Sequence, residues 1–351
     1  MFTQTLTKRV LGSSLVNLLT GPYGVDRYTE LVSPTWSRND PRARVVAVRR
    51  ATPRSVTLLL EPNDAFGRFR AGQHVNLSVE IDGRRRVRCY SPASAEGQRL
   101  IELTVGLHDG GLVSTHLYRH ARPGMVVGLD SVGGDFTLPA IRPRRILLIS
   151  GGSGITPVMS MLRTLVAEQY SGRVAFLHYA RTPEEACYRD ELAALPRVKV
   201  LHGYTRSPQT GDVSGHFSAE HLAQAMPKPD AVFVCGPPSL VEAVREQYPD
   251  AVSESFVPPV FAAPVGPTGG RVSFKISAVG VKDDGRSLLD QAESAGLTPQ
   301  SGCRMGVCHS CTCRKTAGTV RNLITGAVSG AEAEDIQICV STPVGDVELA
   351  L

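Results

Sequence analysis

The sequence predicts a multidomain fold: an antiparallel β-barrel, then an α/β domain with a parallel sheet, then a small α+β domain. A chain of 351 residues exceeds what one hydrophobic core usually serves. Near residue 145, short strands give way to strands that alternate with helical stretches. A segment rich in proline and glycine precedes the C-terminal part. These signals place a leader at 1–40, the barrel at 41–140, the α/β domain at 141–256, a linker at 257–270 and the α+β domain at 271–351.

Composition indicates a folded protein of a reducing compartment. Hydrophobic residues make up 42% of the chain, and no apolar run approaches the roughly 18–20 residues that span a bilayer. The basic and apolar start lacks a small-residue cleavage site, so we expect a cytoplasmic protein. In that compartment, clustered cysteines are more often metal ligands than disulfides.

The charge balance excludes one class of partner. Lys and Arg number 38 against 33 Asp and Glu, and the excess lies in the N-terminal part, including the run from Arg84 to Arg88. Nucleic-acid binding would need more basic residues interleaved with aromatic ones, so we expect no nucleic-acid partner. A basic face is instead compatible with anionic cofactors, acidic proteins or lipid headgroups.

The barrel is predicted from short β-branched segments. RVVAVRR, SVTLLLE, HVNLSVEI, VRCYS and RLIELTVGL are bounded by turn residues such as Asp82 and Gly83. Five or six strands at this spacing indicate a small antiparallel barrel.

The α/β domain opens with a buried strand, RILLIS, a glycine turn and a helix predicted from Pro157 to Gln169. Glycines in such a turn let the backbone approach a pyrophosphate, and the following helix offers free N–H groups. An ordinary tight turn remains the alternative. The candidate nucleotide-binding residues are Gly152, Gly154, Ile155, Thr156 and Pro157.

The next strand bears on which nucleotide binds. It ends in HYAR, without the acidic residue that usually holds the ribose 2′-hydroxyl of NAD. Arg181 would face a 2′-phosphate, which favours NADPH over NADH and leaves NADH open. The alternative is that Arg181 is a solvated loop residue.

Four cysteines predict an iron–sulfur centre. Cys303-x₄-Cys308-x₂-Cys311 has the spacing of a plant-type [2Fe–2S] site, and Cys339 follows as the fourth ligand. Zinc favours paired C-x₂-C steps, of which one is present, and a Rieske centre needs two histidines, whereas only His309 is near. Cys313 is then an additional, buried thiol. Residues 271–351 resemble a plant-type ferredoxin of the β-grasp fold over their whole length, including the helical stretch GRSLLDQAESAGL.

Motifs upstream resemble the ferredoxin–NADP⁺ reductase superfamily. RCYSPAS, GGLVSTHL, GGSGITP, VCGPPSL and SESF occur in that family's order over residues 42–256. The resemblance implies that Arg88 pairs with the FAD pyrophosphate, Tyr90 stacks on the flavin and Ser91 hydrogen-bonds near N5. The backbone of the helix start would bind the same pyrophosphate, through Gly111, Leu112, Val113 and Ser114.

The resemblance extends to the reaction centre. Cys235 and Gly236 would lie beside the nicotinamide, and Glu254 and Phe256 beside the isoalloxazine. Ser91 and Cys235 would act as catalytic residues with orienting roles. The chain departs from the plant-type pattern because it continues past SESF instead of ending in a tyrosine.

Together these modules predict an NAD(P)H-dependent reductase in which electrons pass from NAD(P)H to FAD, to [2Fe–2S] and to a terminal acceptor. In the leader, LLTGPYGVDRYTELVSPTWS before RARVVAVRRAT resembles the N-termini of bacterial reductases that feed membrane-bound acyl-CoA/fatty-acid desaturases. LTKRVLGSSLVNLLTG would form an amphipathic helix at the inner face of the membrane. Packing of that segment on the barrel is the alternative. A soluble Rieske, di-iron or P450 oxygenase is the alternative acceptor, and a redox-sensing iron–sulfur protein without turnover is the alternative of another class.

Overall fold

The computed structural model describes residues 35–37, 40–256, 269–306 and 309–351. Most of the predicted leader, most of the predicted linker and Cys308 lie outside these described residues.

The first sheet is six-stranded and antiparallel, in the order β4-β3-β6-β1-β2-β5. Valines and leucines at alternate positions of these strands form a buried core, with Leu58, Leu77 and Leu129 fully buried. One helix, α1, Leu112–His120, packs on it. The strands are β1 Arg42–Thr52, β2 Ser55–Pro62, β3 His74–Ile81, β4 Arg84–Tyr90, β5 Ile101–Gly106 and β6 Val126–Gly133.

The second sheet is six-stranded and parallel, in the order β10-β9-β8-β7-β11-β12. Its strands are near-continuous runs of apolar residues because both faces are covered, as is usual for parallel sheets. They are β7 Arg145–Gly151, β8 Arg173–Ala180, β9 Val198–Tyr204, β10 Val213–Ser214, β11 Ala231–Cys235 and β12 Val252–Glu254.

Helix α2, Ile155–Ala167, lies between the two sheets. Its buried side chains, such as Val158 and Leu162, share one core with Leu148 of the parallel sheet and Phe136 of the barrel. This shared core fixes the parallel sheet against the barrel. The remaining helices of this part are α3 Arg189–Ala193, α4 Ala219–Ala225 and α5 Pro238–Gln247.

The third sheet is five-stranded and mixed, in the order β14-β13-β17-β15-β16. Helix α6, Leu288–Ser294, packs on it, and the Ser287 hydroxyl caps this helix by accepting a hydrogen bond from the Asp290 N–H at 3.2 Å. The strands are β13 Arg271–Phe274, β14 Val279–Lys282, β15 Thr312–Asn322, β16 Glu334–Gln337 and β17 Ser341–Leu349.

The predicted multidomain fold class is confirmed: an antiparallel sheet, a parallel sheet and a C-terminal α+β domain follow in that order. The helix predicted from Pro157 begins instead at Ile155, so Pro157 is its third residue. A proline is tolerated there because the first helical N–H groups have no partner within the helix. In the described parts of the chain, no helix is both long and apolar enough to cross a membrane.

Candidate functional site

A cleft of about 610 Å³ opens between the barrel and the parallel sheet. Arg54 and Thr104 line it from the barrel, and residues 151–156 line it from the glycine turn. Arg181 and Phe256 also border it. Its position at the carboxyl ends of parallel strands is where open α/β sheets bind their ligands.

The glycine turn is shaped by a close approach to the neighbouring strand. Strand β7 ends at Gly151, and a single 3₁₀ turn, Gly152–Gly154, leads into α2. A Cβ atom on Gly154 would lie 2.3 Å from the carbonyl oxygen of Cys235, so no larger residue fits. The turn thereby places the N-terminus of α2, with Ile155 and Thr156, at the cleft.

Arg181 directly follows β8 and extends along the cleft wall. Its side chain is 55% exposed, and its guanidinium lies 4.0 Å from Glu185, a long and weak ion pair. An exposed cation at this position is available to an anionic group of a bound nucleotide.

Cys235 and Glu254 meet on adjacent strands behind Gly236, which lines the cleft, whereas neither of these two residues lines it. They are direct partners in the pairing of β11 with β12, and the Gly236 N–H donates to the Glu254 carbonyl at 3.3 Å. Cys235 is completely buried, and burial raises the pKa of its thiol well above the ordinary value, with the Glu254 charge adding to the effect. A neutral, buried thiol is suited to orienting a ligand rather than to nucleophilic attack.

Ser91 and Glu254 each have a buried polar atom that makes no hydrogen bond with the described residues. Among the described residues, neither Ser91 Oγ nor Glu254 Oε2 has a hydrogen-bond partner. Val75 pairs with Tyr90, so Ser91, directly after β4, and His74, the first residue of β3, occupy the next positions. Buried polar atoms in native proteins are nearly always satisfied, which indicates a polar ligand or water here. These residues therefore fit a flavin.

Arg88 and Tyr90 lie on β4. The Arg88 guanidinium donates to the Val87 carbonyl at 2.7 Å, and both residues are partly buried. Tyr90 packs against the barrel core, and its burial raises the pKa of the phenol. A neutral aromatic ring can stack on the ring of a flavin nucleotide, and an adjacent arginine can pair with its phosphates.

The start of α1 is the second predicted phosphate site. Gly111 is the N-cap, Leu112 is half-exposed and Val113 is buried. Ser114 Oγ donates to the Gly111 carbonyl at 3.2 Å and accepts from the His108 N–H at 3.3 Å. The Ser114 hydroxyl therefore stabilises the loop before the helix. The free N–H groups of the first helical turn are the donors that would bind a phosphate. A second cavity, of about 560 Å³, borders Gly111 and Leu112.

The structure brings together some of the predicted cluster cysteines. Cys311 and Cys339 are buried, Cys303 is partly exposed, and Cys308 lies outside the described residues. A hydrogen bond with the Cys311 thiol and burial raise the pKa of Cys339. Over the described residues, no three His, Cys, Asp or Glu side chains gather closely enough to hold a metal ion.

Backbone groups around these thiols fit a cluster. The Met305 N–H donates to Cys303 Sγ at 3.3 Å, and the Gly306 N–H points to Cys339. Gly306 has a φ of +75°, a conformation that favours glycine. N–H donors to sulfur stabilise thiolate ligands, so the loop suits an iron–sulfur cluster.

Sequence reasoning missed His74 as a site residue. It is buried on β3, 3.8 Å from Glu254 Oε1. It also missed Cys187, which lines the cleft and lies 3.5 Å from the Ser55 hydroxyl. No local pattern marks either residue, because each acquires its neighbours through contacts between distant parts of the chain.

Three family profiles match the chain in the order of its three sheets. Residues 51–137 match an oxidoreductase FAD-binding domain, residues 148–246 an oxidoreductase NAD-binding domain, and residues 277–344 a 2Fe-2S iron-sulfur cluster binding domain.

Two curated proteins are similar over almost their whole length. The NADPH oxidoreductase of Mycobacterium tuberculosis is 36% identical, with 94% of this chain and 90% of that protein covered. The glycine betaine monooxygenase reductase subunit of Chromohalobacter salexigens is 27% identical, with 92% of this chain and 98% of that protein covered.

A solved structure, phthalate dioxygenase reductase, has the same fold. It superimposes with a TM-score of 0.61 at 22% identity and covers 88% of this chain and 97% of its own. That reductase is described as a modular structure for electron transfer from pyridine nucleotides to [2Fe-2S].

Proposed function

Because this chain belongs to the family of ferredoxin–NADP⁺ reductase-type oxidoreductases with a C-terminal ferredoxin domain, we propose that it transfers electrons from NADPH to a protein that accepts them singly. It is an NAD(P)H-dependent oxidoreductase with FAD and [2Fe–2S] as cofactors. FAD, when bound, accepts a hydride from the nicotinamide and supplies its two electrons one at a time. The observation that carries the proposal is the cleft bordered by both the barrel and the glycine turn.

Ser91, Cys235 and Glu254 orient the reacting rings in this proposal. The Ser91 hydroxyl, which has no partner among the described residues, would donate to the flavin near N5, and the buried, neutral Cys235 thiol would lie behind Gly236 on the nicotinamide side. Gly236 and Phe256 line the cleft, where the nicotinamide and the isoalloxazine would lie. Positioning of the two rings by these residues would favour direct hydride transfer.

Other residues would hold the cofactor phosphates. Arg88 pairs with the FAD pyrophosphate, Tyr90 stacks on the flavin, and residues 111–114 offer N–H groups of α1. The N-terminus of α2, from Gly152 to Pro157, receives the pyrophosphate of the nicotinamide nucleotide.

We propose NADPH rather than NADH because of Arg181. It is exposed at the cleft, and it stands where an acidic residue would select the 2′-hydroxyl of NADH. The relative named an NADPH oxidoreductase supports this choice.

An anaerobic titration followed by visible absorption tests the proposal. NADPH should bleach the flavin band and then the cluster band, at lower concentration than NADH. Arg181→Ala should weaken the binding of NADPH by roughly tenfold, because one charge-assisted contact is lost. The affinity for NADH should not change. Arg173→Ala, at the opposite end of β8, is the matched control. Failure of both nucleotides to bleach fully loaded protein would favour a redox-sensing role without turnover.

We propose Cys303, Cys308, Cys311 and Cys339 as the cluster ligands and 41–140, 141–256 and 271–351 as the three modules. The terminal acceptor that we favour is a membrane-bound fatty-acyl desaturase. The resemblance of residues 1–40 to desaturase reductases supports it, because an amphipathic leader would bring the reductase to the membrane face.

A soluble oxygenase component is the second candidate acceptor, supported by the relative named as a monooxygenase reductase subunit. Sedimentation of the protein with anionic lipid vesicles distinguishes the two candidate acceptors. Membrane delivery predicts that the full chain sediments and that Leu15→Asp with Leu19→Asp releases it, while NADPH-dependent bleaching is unchanged. A chain that never sediments would favour the soluble acceptor.

A further inference from the structure

Five residues capable of exchanging protons lie side by side across the parallel sheet. In-register pairing links Glu254 to Cys235, Cys235 to Ser150, Ser150 to His178 and His178 to His202. Residues in register on parallel strands lie about 4.8 Å apart and point to the same face. We call these five residues the polar row. The same face is otherwise apolar, with Leu148, Phe176 and Phe233 two positions before members of the row.

Direct contacts join parts of the polar row. Ser150 Oγ lies 2.8 Å from His178 Nδ1, and both residues are buried. The His178 and His202 rings are 6.1 Å apart, edge to face. At the outer end, His202 Nδ1 lies 3.6 Å from Asp212 Oδ2, and the Asp212 side chain is 52% exposed. At the other end, Glu254 Oε1 lies 3.8 Å from His74 Nδ1.

Two buried nitrogen atoms in the row have no hydrogen-bond partner among the described residues, namely Nε2 of His178 and Nε2 of His202. His178 is 1% exposed and His202 is 9% exposed. An imidazole nitrogen buried without a partner costs free energy unless water or another polar group meets it. A water molecule between the two rings would satisfy these atoms and close the gap in the row.

The reaction supplies a use for such a row. Resting on the proposed function, one turnover balances as NADPH plus two oxidised clusters giving NADP⁺, two reduced clusters and one H⁺. That proton is released beside Gly236, which lines the cleft and whose N–H donates to the Glu254 carbonyl. We propose that the polar row carries the proton from Glu254, behind Gly236, to solvent at Asp212.

The proton passes along the row in single steps. The Glu254 carboxylate takes up the released proton and gives it to the Cys235 thiol, which gives its own proton to the Ser150 hydroxyl, and Ser150 passes its own to His178 Nδ1. His178 releases a proton from Nε2 to the bridging water, and His202 delivers it to the Asp212 carboxylate. Burial lowers the pKa of His178 to about 3, so the imidazole returns to its neutral form after each transfer.

Proton release measured directly tests the polar row. Loaded protein is mixed with NADPH and excess cytochrome c as the one-electron acceptor, in weak buffer with a pH-indicator dye, in H₂O and in D₂O. His178→Leu and Ser150→Ala should slow proton release by at least roughly tenfold and increase its solvent isotope effect. His221→Leu is the matched control, because His221 is also buried but lies outside the row, with its Nδ1 2.8 Å from the Tyr179 hydroxyl.

The outcomes separate the two proposals. If wild-type protein does not reduce cytochrome c with NADPH, the proposed function is wrong. If it does, and both row variants release protons at the wild-type rate with the wild-type isotope effect, the polar row is not the route. Should His178→Leu fail to fold, Ser150→Ala decides the question, because it removes one hydroxyl with little change in volume.

Discussion

Arg163 of helix α2 lies 3.0 Å from the carboxylate of Glu102 on the barrel strand β5. The same guanidinium donates to the Ala93 carbonyl at 2.9 Å and to both carboxylate oxygens of Glu191 at 2.7 and 2.6 Å. One side chain therefore joins α2, α3 and the barrel. Because α2 begins at the cleft, this junction fixes the nucleotide site relative to the flavin site.

We predict that Arg163→Leu destabilises the protein and lowers kcat more than it raises KM for NADPH. Loss of the guanidinium leaves Glu102 and Glu191 without their common partner, and we expect a loss of roughly 1–3 kcal/mol in the free energy of unfolding. Urea unfolding and steady-state kinetics measure the two effects. Arg99→Leu is the control, since its ion pair with Glu61 is largely exposed and should contribute less than about 0.5 kcal/mol. Equal effects of the two variants would contradict the role given to Arg163.

The contacts of Arg163 could not be predicted from the sequence. The α2 helix and its glycine turn are predicted by local pattern, because strand, glycines and helix are contiguous. Nothing in the sequence near Arg163 indicates Glu102, which is brought to it only when two domains pack. The same holds for His74 beside Glu254, whereas Ser91, Cys235 and the cluster cysteines could be proposed from the sequence because each lies in a short, contiguous motif.

A second prediction concerns acid stability. Burial, and next the neighbouring His202, lower the pKa of His178 to about 3 from an ordinary 6.5. Below pH 6.5 the unfolded chain binds a proton that the folded chain does not, so stability falls as the pH drops from 6.5 toward 3. Linkage sets the slope at up to about 1.4 kcal/mol per pH unit for this group.

Urea unfolding at pH 7 and pH 5 measures this contribution. Wild-type protein should lose more stability between the two values than His178→Leu, which has no imidazole to protonate. His216→Gln is the control, because His216 is exposed. An identical loss in wild-type protein and in His178→Leu would show that His178 does not limit acid stability.

A third prediction concerns Lys315 in the C-terminal domain, a lysine with no exposed surface. Its ammonium donates to the carbonyls of Gly318 and Gly330 at 2.6 Å and of Glu332 at 2.8 Å. The ammonium also pairs with the Glu334 carboxylate at 3.1 Å. Lys315→Met removes the donor shared by three carbonyls and the partner of this carboxylate, and we expect a loss of roughly 1–3 kcal/mol for this domain. Thermal unfolding followed by cluster absorbance gives the measurement.

The control for Lys315 is Lys275 in the same sheet. Lys275 pairs with Glu348 at 2.6 Å, but its side chain is 54% exposed, so Lys275→Met should shift the midpoint only slightly. A cluster that bleaches at the wild-type temperature in Lys315→Met would mean that the ammonium does not stabilise this domain.

The last prediction distinguishes Cys339, a proposed cluster ligand, from Cys313, a nearby cysteine that does not bind the cluster. Cys339 and Cys313 are both buried in the same core, yet only Cys339 contacts the Cys311 thiol, while Cys313 directs its thiol to the Ala350 carbonyl at 3.6 Å. Cys339→Ser should therefore abolish the visible band of the cluster and bound iron, and Cys313→Ser should retain both. Iron content and absorbance of the purified variants provide the measurement, with flavin absorbance as an internal standard for folded protein. Loss of iron in Cys313→Ser with retention in Cys339→Ser would reverse the assignment, because four thiolates suffice for a [2Fe–2S] cluster and a fifth can only be a neighbour.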